Sequence, residues 1–262
     1  MNLYPLARYA VYLLSSGHRK GHGIHSPFLF NVVSGIFQNK TDPEIVFKIE
    51  TLRKKMKKDK RVINFRDYGS RTIKREPDLR RVSDIAKHSP VSKKYGQLLF
   101  RLSSAFGKQM IIEFGTSLGI STMYLAFSRP DSHVYTMEGC QEVSEIAREN
   151  FREAGLSNII LLTGRFEDLF TEIRTPGIRP GLVFIDGNHR KTPTLDYFNL
   201  VAGISGDETV VVLDDIYHSP EMAEAWGIIR NDGRVTATID IFKMGIVFFR
   251  RNITPGSYLV RY

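Results

Sequence analysis

The stretch with the clearest capacity to bind a ligand is 111–122, where an apolar run ends in an acidic residue and a glycine-spaced turn follows. Gly115 and Gly119 allow turn dihedrals that other residues resist, and they leave room for a ligand against the backbone. A helix predicted to begin near Ser121 would direct its free N–H groups into the same gap. Glu113, at the end of the preceding strand, suits a ligand that carries an ammonium group and would repel a pyrophosphate.

A second acidic residue follows one strand later. Glu138 lies 23 positions beyond Gly115, near the spacing of a carboxylate that holds both hydroxyls of a ribose. A plain dinucleotide site is excluded, because its fingerprint would require glycine at Ser117 and Ile120. Taken alone, Glu138 could be a solvated surface charge and Glu113 a helix cap. Together with the glycine turn, the two acids predict a ligand with an ammonium group and a ribose.

Three aspartates form the other candidate group. Asp186 ends one apolar strand, and the pair Asp214–Asp215 ends the next. In open α/β sheets, ligands bind beyond the carboxyl ends of the strands, so we expect these carboxylates to lie close together. Such a cluster holds a proton, pairs with a cation or binds a hard metal such as Mg²⁺ or Mn²⁺. The alternative is that Asp186 bonds a ligand amine, Asp215 caps a turn and no metal is present.

These residues require a sheet to position them, and the chain from residue 110 onward predicts one. Strands and helices alternate there, which indicates an α/β, doubly wound, mostly parallel sheet. The strand candidates are Met110–Phe114, Val134–Glu138, Ile159–Thr163, Leu182–Asp186, Thr209–Leu213, Thr236–Phe242 and Gly245–Arg251. Helices are predicted between the first five, near 120–128, 141–154, 166–174 and 193–203. Only Lys243–Met244 separate the last two strands, which must therefore pair as an antiparallel hairpin.

The N-terminal part of the chain is predicted to be helical and is rich in basic residues. We place a boundary near residue 90, between an N-terminal extension (1–90) and the sheet domain (91–262). Helices are predicted at 3–16, 28–37, 44–61, 79–87 and 92–106, with Ser26 and Pro27 opening the second. Residues 1–110 carry 23 Lys and Arg against 8 Asp and Glu, whereas 111–262 carry 14 against 20. The excess of basic residues in 1–110 predicts a solvated helix face, or alternatively a contact with RNA, another polyanion or an anionic membrane surface.

Two further features limit the possible functions. The single cysteine, Cys140, excludes an intramolecular disulfide and a thiolate zinc cluster, which fits the cytoplasm. The sequence contains no run of 18 apolar residues, so no membrane-spanning helix is predicted. His18, His22 and His25 lie in a glycine-rich loop without local carboxylates, so loop hydrogen bonds or pocket contacts are favoured over a metal site.

The loop from Glu113 to Gly119, with Glu138 behind it, resembles motif I of the class I S-adenosylmethionine (SAM)-dependent methyltransferases. An antiparallel last strand is also characteristic of their seven-stranded, Rossmann-like sheet. The resemblance implies a set of SAM contacts along the sheet edge. These are Glu113, Gly115, Thr116, Ser117, Gly119, Ser121, Glu138, Gly139, Arg165, Phe166 and Asp186.

The segment 184–189, followed by the Asp pair, is similar to the metal-dependent sugar O-methyltransferases of the macrocin and mycinamicin type and, more distantly, to catechol and caffeoyl-CoA O-methyltransferases. The resemblance implies that Asp186, Asp214 and Asp215 ligate Mg²⁺ or Mn²⁺. It also implies that His189 is the general base, with Asp186 as the second catalytic residue. His189 could instead cap its loop, and His218, three residues past Asp215, is a second candidate for the base or an acceptor contact. The expected reaction is Mg²⁺-assisted O-methylation of a hydroxylated small molecule or sugar.

Other functions stay open at this stage. The N-terminal helices would form a lid over the acceptor or a homodimer contact, as in small-molecule O-methyltransferases. A nucleic-acid methyltransferase would use the basic front half to hold RNA. A SAM-binding regulatory protein without catalysis would use the same loop but no base.

Overall fold

The computed structural model describes residues 4–65, 78–88, 90–174 and 177–262. The chain divides into two compact units. We call them the terminal unit, Met1–Asn39 with Arg179–Tyr262, and the central unit, Lys40–Ile178. Residues 66–77 lie outside the described residues, and the boundary near residue 90 stays a prediction. None of the described helices is long and apolar enough to cross a membrane.

The described helices and strands follow one another in an order that alternates after residue 110. They are α1 (Tyr4–Ser15), α2 (Pro27–Ser34), α3 (Pro43–Met56), β1 (Val62–Asn64), β2 (Leu79–Arg81), α4 (Val82–His88), α5 (Lys93–Phe106), β3 (Met110–Phe114), α6 (Ile120–Ser128), β4 (His133–Glu138), α7 (Gln141–Ala154), β5 (Ile159–Thr163), α8 (Phe166–Ile173), β6 (Leu182–Ile185), α9 (Lys191–Ala202), β7 (Val210–Asp214), α10 (Pro220–Ile229), β8 (Ala237–Asp240), β9 (Met244–Phe248) and β10 (Gly256–Leu259).

Strands β3 to β10 belong to one mostly parallel sheet, which confirms the predicted fold class. The predicted hairpin is also confirmed, because β9 pairs antiparallel with both β7 and β8. The sheet has eight described strands where the sequence predicts seven. The additional strand is β10, which pairs parallel with β8 in the register Gly256↔Ala237. Strand β9 is therefore antiparallel as predicted, but it is not the last strand of the chain.

Three further elements differ from the sequence prediction. The segment predicted as a helix at 79–87 begins with β2, which pairs antiparallel with β1, and becomes helical only at Val82. Helix α3 ends at Met56 because 57–61 has no apolar residue with which to continue a packed face. Helix α10 is absent from the predicted elements, although Ser219 caps it by accepting a hydrogen bond from the Met222 amide at 3.2 Å.

In the central unit, β4 lies between β3 and β5, and all three run parallel. Every residue of β3 is buried, as expected for a strand covered on both faces. Helix α5 packs against α6 at a close approach: a Cβ at Gly96 would lie 2.4 Å from the Tyr124 ring. This packing fixes the direction in which α6 leaves the glycine turn.

In the terminal unit, β7 pairs parallel with β6 and antiparallel with β9. The register places Asp214 opposite Met244, so the short link from β8 to β9 lies beside the carboxyl end of β7. The Tyr12 hydroxyl of α1 donates to the Val260 carbonyl oxygen at 2.7 Å, which attaches the first helix to the C-terminal segment. The carboxyl ends of β6 and β7 carry the predicted aspartates.

Candidate functional site

Glu113 is fully buried at the end of β3, inside a cluster of hydroxyl groups. Its Oε2 accepts hydrogen bonds from the hydroxyls of Thr122 at 2.5 Å and Thr136 at 2.6 Å. The Thr136 hydroxyl also contacts the Thr116 hydroxyl at 2.6 Å. The carboxylate is thus fixed by one residue from α6 and one from β4, with the glycine turn attached through Thr116.

The other oxygen of this carboxylate, Oε1, is buried and makes no well-formed hydrogen bond to any described group. Burial raises the pKa of Glu113 to about 7, while hydrogen bonds from Ser121, Thr122 and Thr136 act in the opposite direction. A buried carboxylate oxygen without a partner carries a large desolvation penalty. A cationic donor placed at Oε1 would remove that penalty and favour the ionised form.

The turn that follows β3 needs left-handed backbone at three positions. The φ angles are 102° at Gly115, 48° at Ser117 and 86° at Gly119. The amides of Gly115 and Thr116 both donate to the Met137 carbonyl oxygen at 3.0 Å, which holds the start of the turn against the end of β4. The turn therefore depends on both glycines for its path, as the sequence predicts, while Ser117 adopts the left-handed conformation at some strain.

Glu138 joins this turn to the next loop. Its Oε2 accepts from the Ser117 amide at 2.8 Å, and its Oε1 accepts from the Cys140 amide at 2.9 Å. The side chain is half-buried, and each carboxylate oxygen can accept more than one hydrogen bond. Glu138 therefore has a structural role that sequence spacing alone does not reveal, and it retains acceptor capacity for two hydroxyls. Gly139, directly after it, is buried.

We expect Gly119→Ala to lower the free energy of unfolding by about 2 to 4 kcal/mol. A Cβ at this position would lie 2.3 Å from the Phe151 ring, and the φ of 86° disfavours any side chain. Urea unfolding measures the change. The matched control is Gly227→Ala in α10, where an added Cβ meets nothing within 4 Å; we expect that variant to be as stable as wild type or slightly more stable. Equal effects of the two variants would contradict the prediction.

The two SAM contacts predicted after β5, Arg165 and Phe166, lie in different environments. Arg165 is exposed and lies 4.0 Å from Asp168. Phe166 is 5% exposed, and its ring packs edge-on against Phe114 with 5.9 Å between centroids. Phe166 thus has a core role, and its contact with a nucleobase stays a prediction.

The terminal unit holds the predicted aspartates and histidine. His189 Nε2 lies 3.4 Å from Asp186 Oδ1. Asp214 Oδ2 lies 3.2 Å from the Lys243 ammonium, which also forms a close ion pair with Asp215 Oδ1. The structure therefore brings together the three aspartates and the base candidate of the sequence prediction in one unit, with a lysine that the prediction did not include.

Burial and charge set the ionisation of this cluster. Burial raises the pKa of Asp214 to about 6, which Lys243 opposes and Asp215 reinforces. Burial lowers the pKa of His189, while the negative charge of Asp215 acts the other way. For Lys243, burial is outweighed by Asp214 and Asp215, which raise its pKa. At neutral pH the cluster therefore contains an ammonium, carboxylates and a mostly neutral imidazole.

The predicted metal ligands do not fit a metal as they are arranged. Both members of the Asp214–Asp215 pair bond the Lys243 ammonium, and Asp186 contacts His189. Across the described ranges, no group of three acidic, histidine or cysteine side chains has an arrangement suited to a metal ion. Of the three outcomes that the sequence leaves open for this cluster, the structure shows pairing with a cation.

Other predicted residues have local roles. His218 is exposed, with its ring 5.9 Å from that of His189. His18 Nδ1 lies 2.8 Å from the His22 carbonyl oxygen, in agreement with loop hydrogen bonding. Cys140 is buried, and its Sγ lies 3.8 Å from the Asn64 carbonyl oxygen, as a packed loop thiol would.

Comparison with known proteins identifies the motif-bearing segment. Residues 112–216 match the family whose description is Methyltransferase domain. The match begins within β3, ends just beyond Asp214–Asp215, and so includes the glycine turn and His189. The resemblance to methyltransferases inferred from the motifs is thereby confirmed for this segment.

A curated relative gives the same indication over about half of the chain. Catechol O-methyltransferase of Niastella koreensis is 31% identical over 131 residues, which are 49% of this chain and 57% of the relative. The chain thus spans little more than half the length of that relative.

Solved structures share the fold. One is an O-methyltransferase from Streptomyces achromogenes involved in tomaymycin synthesis, in complex with SAM. Its TM-score is 0.54 with 24% identity, covering 61% of this chain and 81% of that one. Another is the O-methyltransferase from Bacillus cereus in complex with SAH, with a TM-score of 0.55 and 20% identity, covering 84% of this chain and 97% of that one.

Proposed function

We propose that this chain, whose residues 112–216 match a methyltransferase domain, transfers the methyl group of SAM to a hydroxyl oxygen. The observation that carries the proposal is the buried carboxylate of Glu113, with one unpaired oxygen at the edge of a glycine turn. A cationic donor removes the desolvation penalty of that oxygen, and the amino-acid part of SAM supplies an ammonium group.

The central unit supplies the SAM contacts in this proposal. Glu113 Oε1 binds the ammonium group, and the first amides of α6 face the carboxylate at the positive end of the helix. Glu138, already fixed by the amides of Ser117 and Cys140, accepts hydrogen bonds from the two ribose hydroxyls. These three interactions match the parts of SAM that lie away from the sulfonium.

The terminal unit supplies the acid–base chemistry. His189 is mostly neutral at pH 7, because burial lowers its pKa. With its Nε2–H directed at Asp186, the ring presents Nδ1 as the base, and Asp186 stabilises the imidazolium that forms. The acceptor oxygen forms the new C–O bond as the C–S bond of SAM breaks. The hydroxyl proton moves to His189, and S-adenosylhomocysteine leaves with the bonding electron pair.

The acceptor class proposed is a hydroxylated small molecule or sugar. The catechol O-methyltransferase relative supports a hydroxyl acceptor, and the Asp214 oxygen Oδ1, buried with no hydrogen-bond partner among the described groups, suits a hydroxyl donor. Mg²⁺ assistance is not part of the proposal, because Lys243 bonds two of the three implied ligands. The N-terminal helices would shape the acceptor pocket or a homodimer contact, and the single buried cysteine supports a cytoplasmic location.

The test is an acceptor panel with methyl-labelled SAM. The purified chain is incubated separately with catechol, caffeate, a deoxyhexose and bulk RNA, and S-adenosylhomocysteine formation is measured at low and high salt. We expect turnover with at least one hydroxylated small molecule and none with RNA. Labelled RNA, with a yield that falls steeply as salt increases, would instead indicate a nucleic-acid methyltransferase. SAM binding without turnover on any probe would indicate a regulatory protein.

A further inference from the structure

Lys243 places a positive charge inside the acidic cluster. Its ammonium contacts Asp214 Oδ2 at 3.2 Å and pairs closely with Asp215 Oδ1, and the charge of Asp186 also acts on it. Its side chain is 32% exposed, whereas that of Asp214 is 5% exposed. The lysine therefore reaches from a partly accessible position into the buried end of β7.

The backbone gives Lys243 little freedom to be elsewhere. It is the last residue of the link between β8 and β9, and the register places the next residue, Met244, opposite Asp214. Asp240 holds that link, since its Oδ1 accepts from the Phe242 amide at 2.8 Å. Its Oδ2 in turn accepts from the Tyr217 hydroxyl at 2.6 Å and the Trp226 indole N–H at 3.0 Å. A buried network thus positions the lysine.

We infer that the Lys243 ammonium is the resident cation of the acceptor site and takes the place of the divalent metal that the resemblance to metal-dependent O-methyltransferases implies there. The inference rests on the proposed function for the statement that the acceptor binds here. It does not rest on the proposed function for the statement that the cation of this site is an ammonium and not a metal ion. An ammonium has three N–H donors, and the two aspartates take two of them. The third can donate to the acceptor oxygen and stabilise the negative charge that develops on it as His189 removes the proton.

The ionic content is tested by Mn²⁺ binding, which requires no turnover. Mn²⁺ is titrated into the wild-type chain and into Lys243→Met and Lys243→Arg, followed by calorimetry and by the electron paramagnetic resonance signal of free Mn²⁺. We expect no site in wild type or in Lys243→Arg, because both retain the cation. Lys243→Met removes the counter-charge of Asp214 and Asp215, and we expect it to bind one Mn²⁺ at least about tenfold more tightly than wild type. The double variant Lys243→Met/Asp214→Asn should lose that site.

One stoichiometric Mn²⁺ site in wild type, weakened by Asp214→Asn, would overturn the inference, as would a folded Lys243→Met that gains no site. Circular dichroism establishes whether each variant is folded. If Lys243→Met does not fold, the wild-type titration still shows whether the site binds Mn²⁺. Turnover provides a separate result. If the chain methylates catechol, EDTA should leave its rate unchanged; if it methylates nothing, the proposed function fails while the Mn²⁺ result still stands.

Discussion

His189→Ala is expected to lower kcat by about 10²–10⁴-fold while leaving the affinity for SAM unchanged. The imidazole is held beside Asp186 at 3.4 Å in the terminal unit, whereas Glu113 and Glu138, the proposed ammonium and ribose contacts of SAM, belong to the central unit. Loss of the base therefore affects proton removal from the acceptor but not cofactor binding. Initial rates with catechol and labelled SAM give kcat, and calorimetry gives the SAM affinity.

The matched control for His189 is the exposed neighbour His218, whose ring lies 5.9 Å away. We expect His218→Ala to change kcat by less than tenfold. The pH profile adds a second criterion: since burial lowers the pKa of His189, the acidic limb of kcat should lie below the ordinary histidine value of about 6.5. A small effect of His189→Ala together with a large effect of His218→Ala would assign the base to His218.

The second large effect is expected at Glu113, where replacement by glutamine should weaken SAM binding by about 100-fold, or near 2.7 kcal/mol. Glutamine retains the shape and can still accept hydrogen bonds from Thr122 and Thr136, but it has no charge for the ammonium group. The control is Glu153→Gln, which changes an exposed carboxylate paired with Lys55 and should not affect binding. A Glu113→Gln variant that binds SAM as tightly as wild type would remove the ammonium role.

The same residue predicts a pH dependence. The pKa of Glu113 is about 7, so SAM affinity should rise about fivefold from pH 6 to pH 7 and fall again once the SAM amine, near pKa 8, loses its charge. The stability of the free chain should change in the opposite direction. The pKa is raised above that of the unfolded chain, so this contribution is complete below about pH 4.5 and is lost as pH rises through about 7. Glu113→Gln should abolish both trends.

The alternating strands, the antiparallel hairpin and the glycine turn were predictable from sequence, because local patterns and spacings encode them. Glu113, Gly115 and Gly119 can be identified by residue type and spacing. The structure places Glu113 near the end of β3 and both glycines in the following turn, with the left-handed backbone that glycine favours. The hydroxyl partners of Glu113 were not predictable, because Thr122 and Thr136 are ordinary residues of a helix and a strand. Only the packing of α6 and β4 on β3 brings them to the carboxylate.

The contacts of Lys243 could not be predicted either, because they join residues that are farther apart in the sequence. In sequence it is one residue of a short link, and the aspartates it bonds lie 28 and 29 positions away. The available signal was topological: an antiparallel hairpin at β7 must place its link beside Asp215. Strand β10 was missed for a related reason, since four residues near the C-terminus become a strand only through pairing with β8.

Transfer of a methyl group from SAM to a hydroxyl oxygen can be observed by following the methyl group itself. The chain is incubated with SAM carrying a ¹³C-labelled methyl group and with catechol, and the products are observed by NMR. We expect a new resonance of a methyl group bonded to oxygen, formed by wild type and strongly reduced for His189→Ala. A label that remains on SAM with every hydroxylated acceptor, or that arrives on a nitrogen or carbon atom, would contradict it.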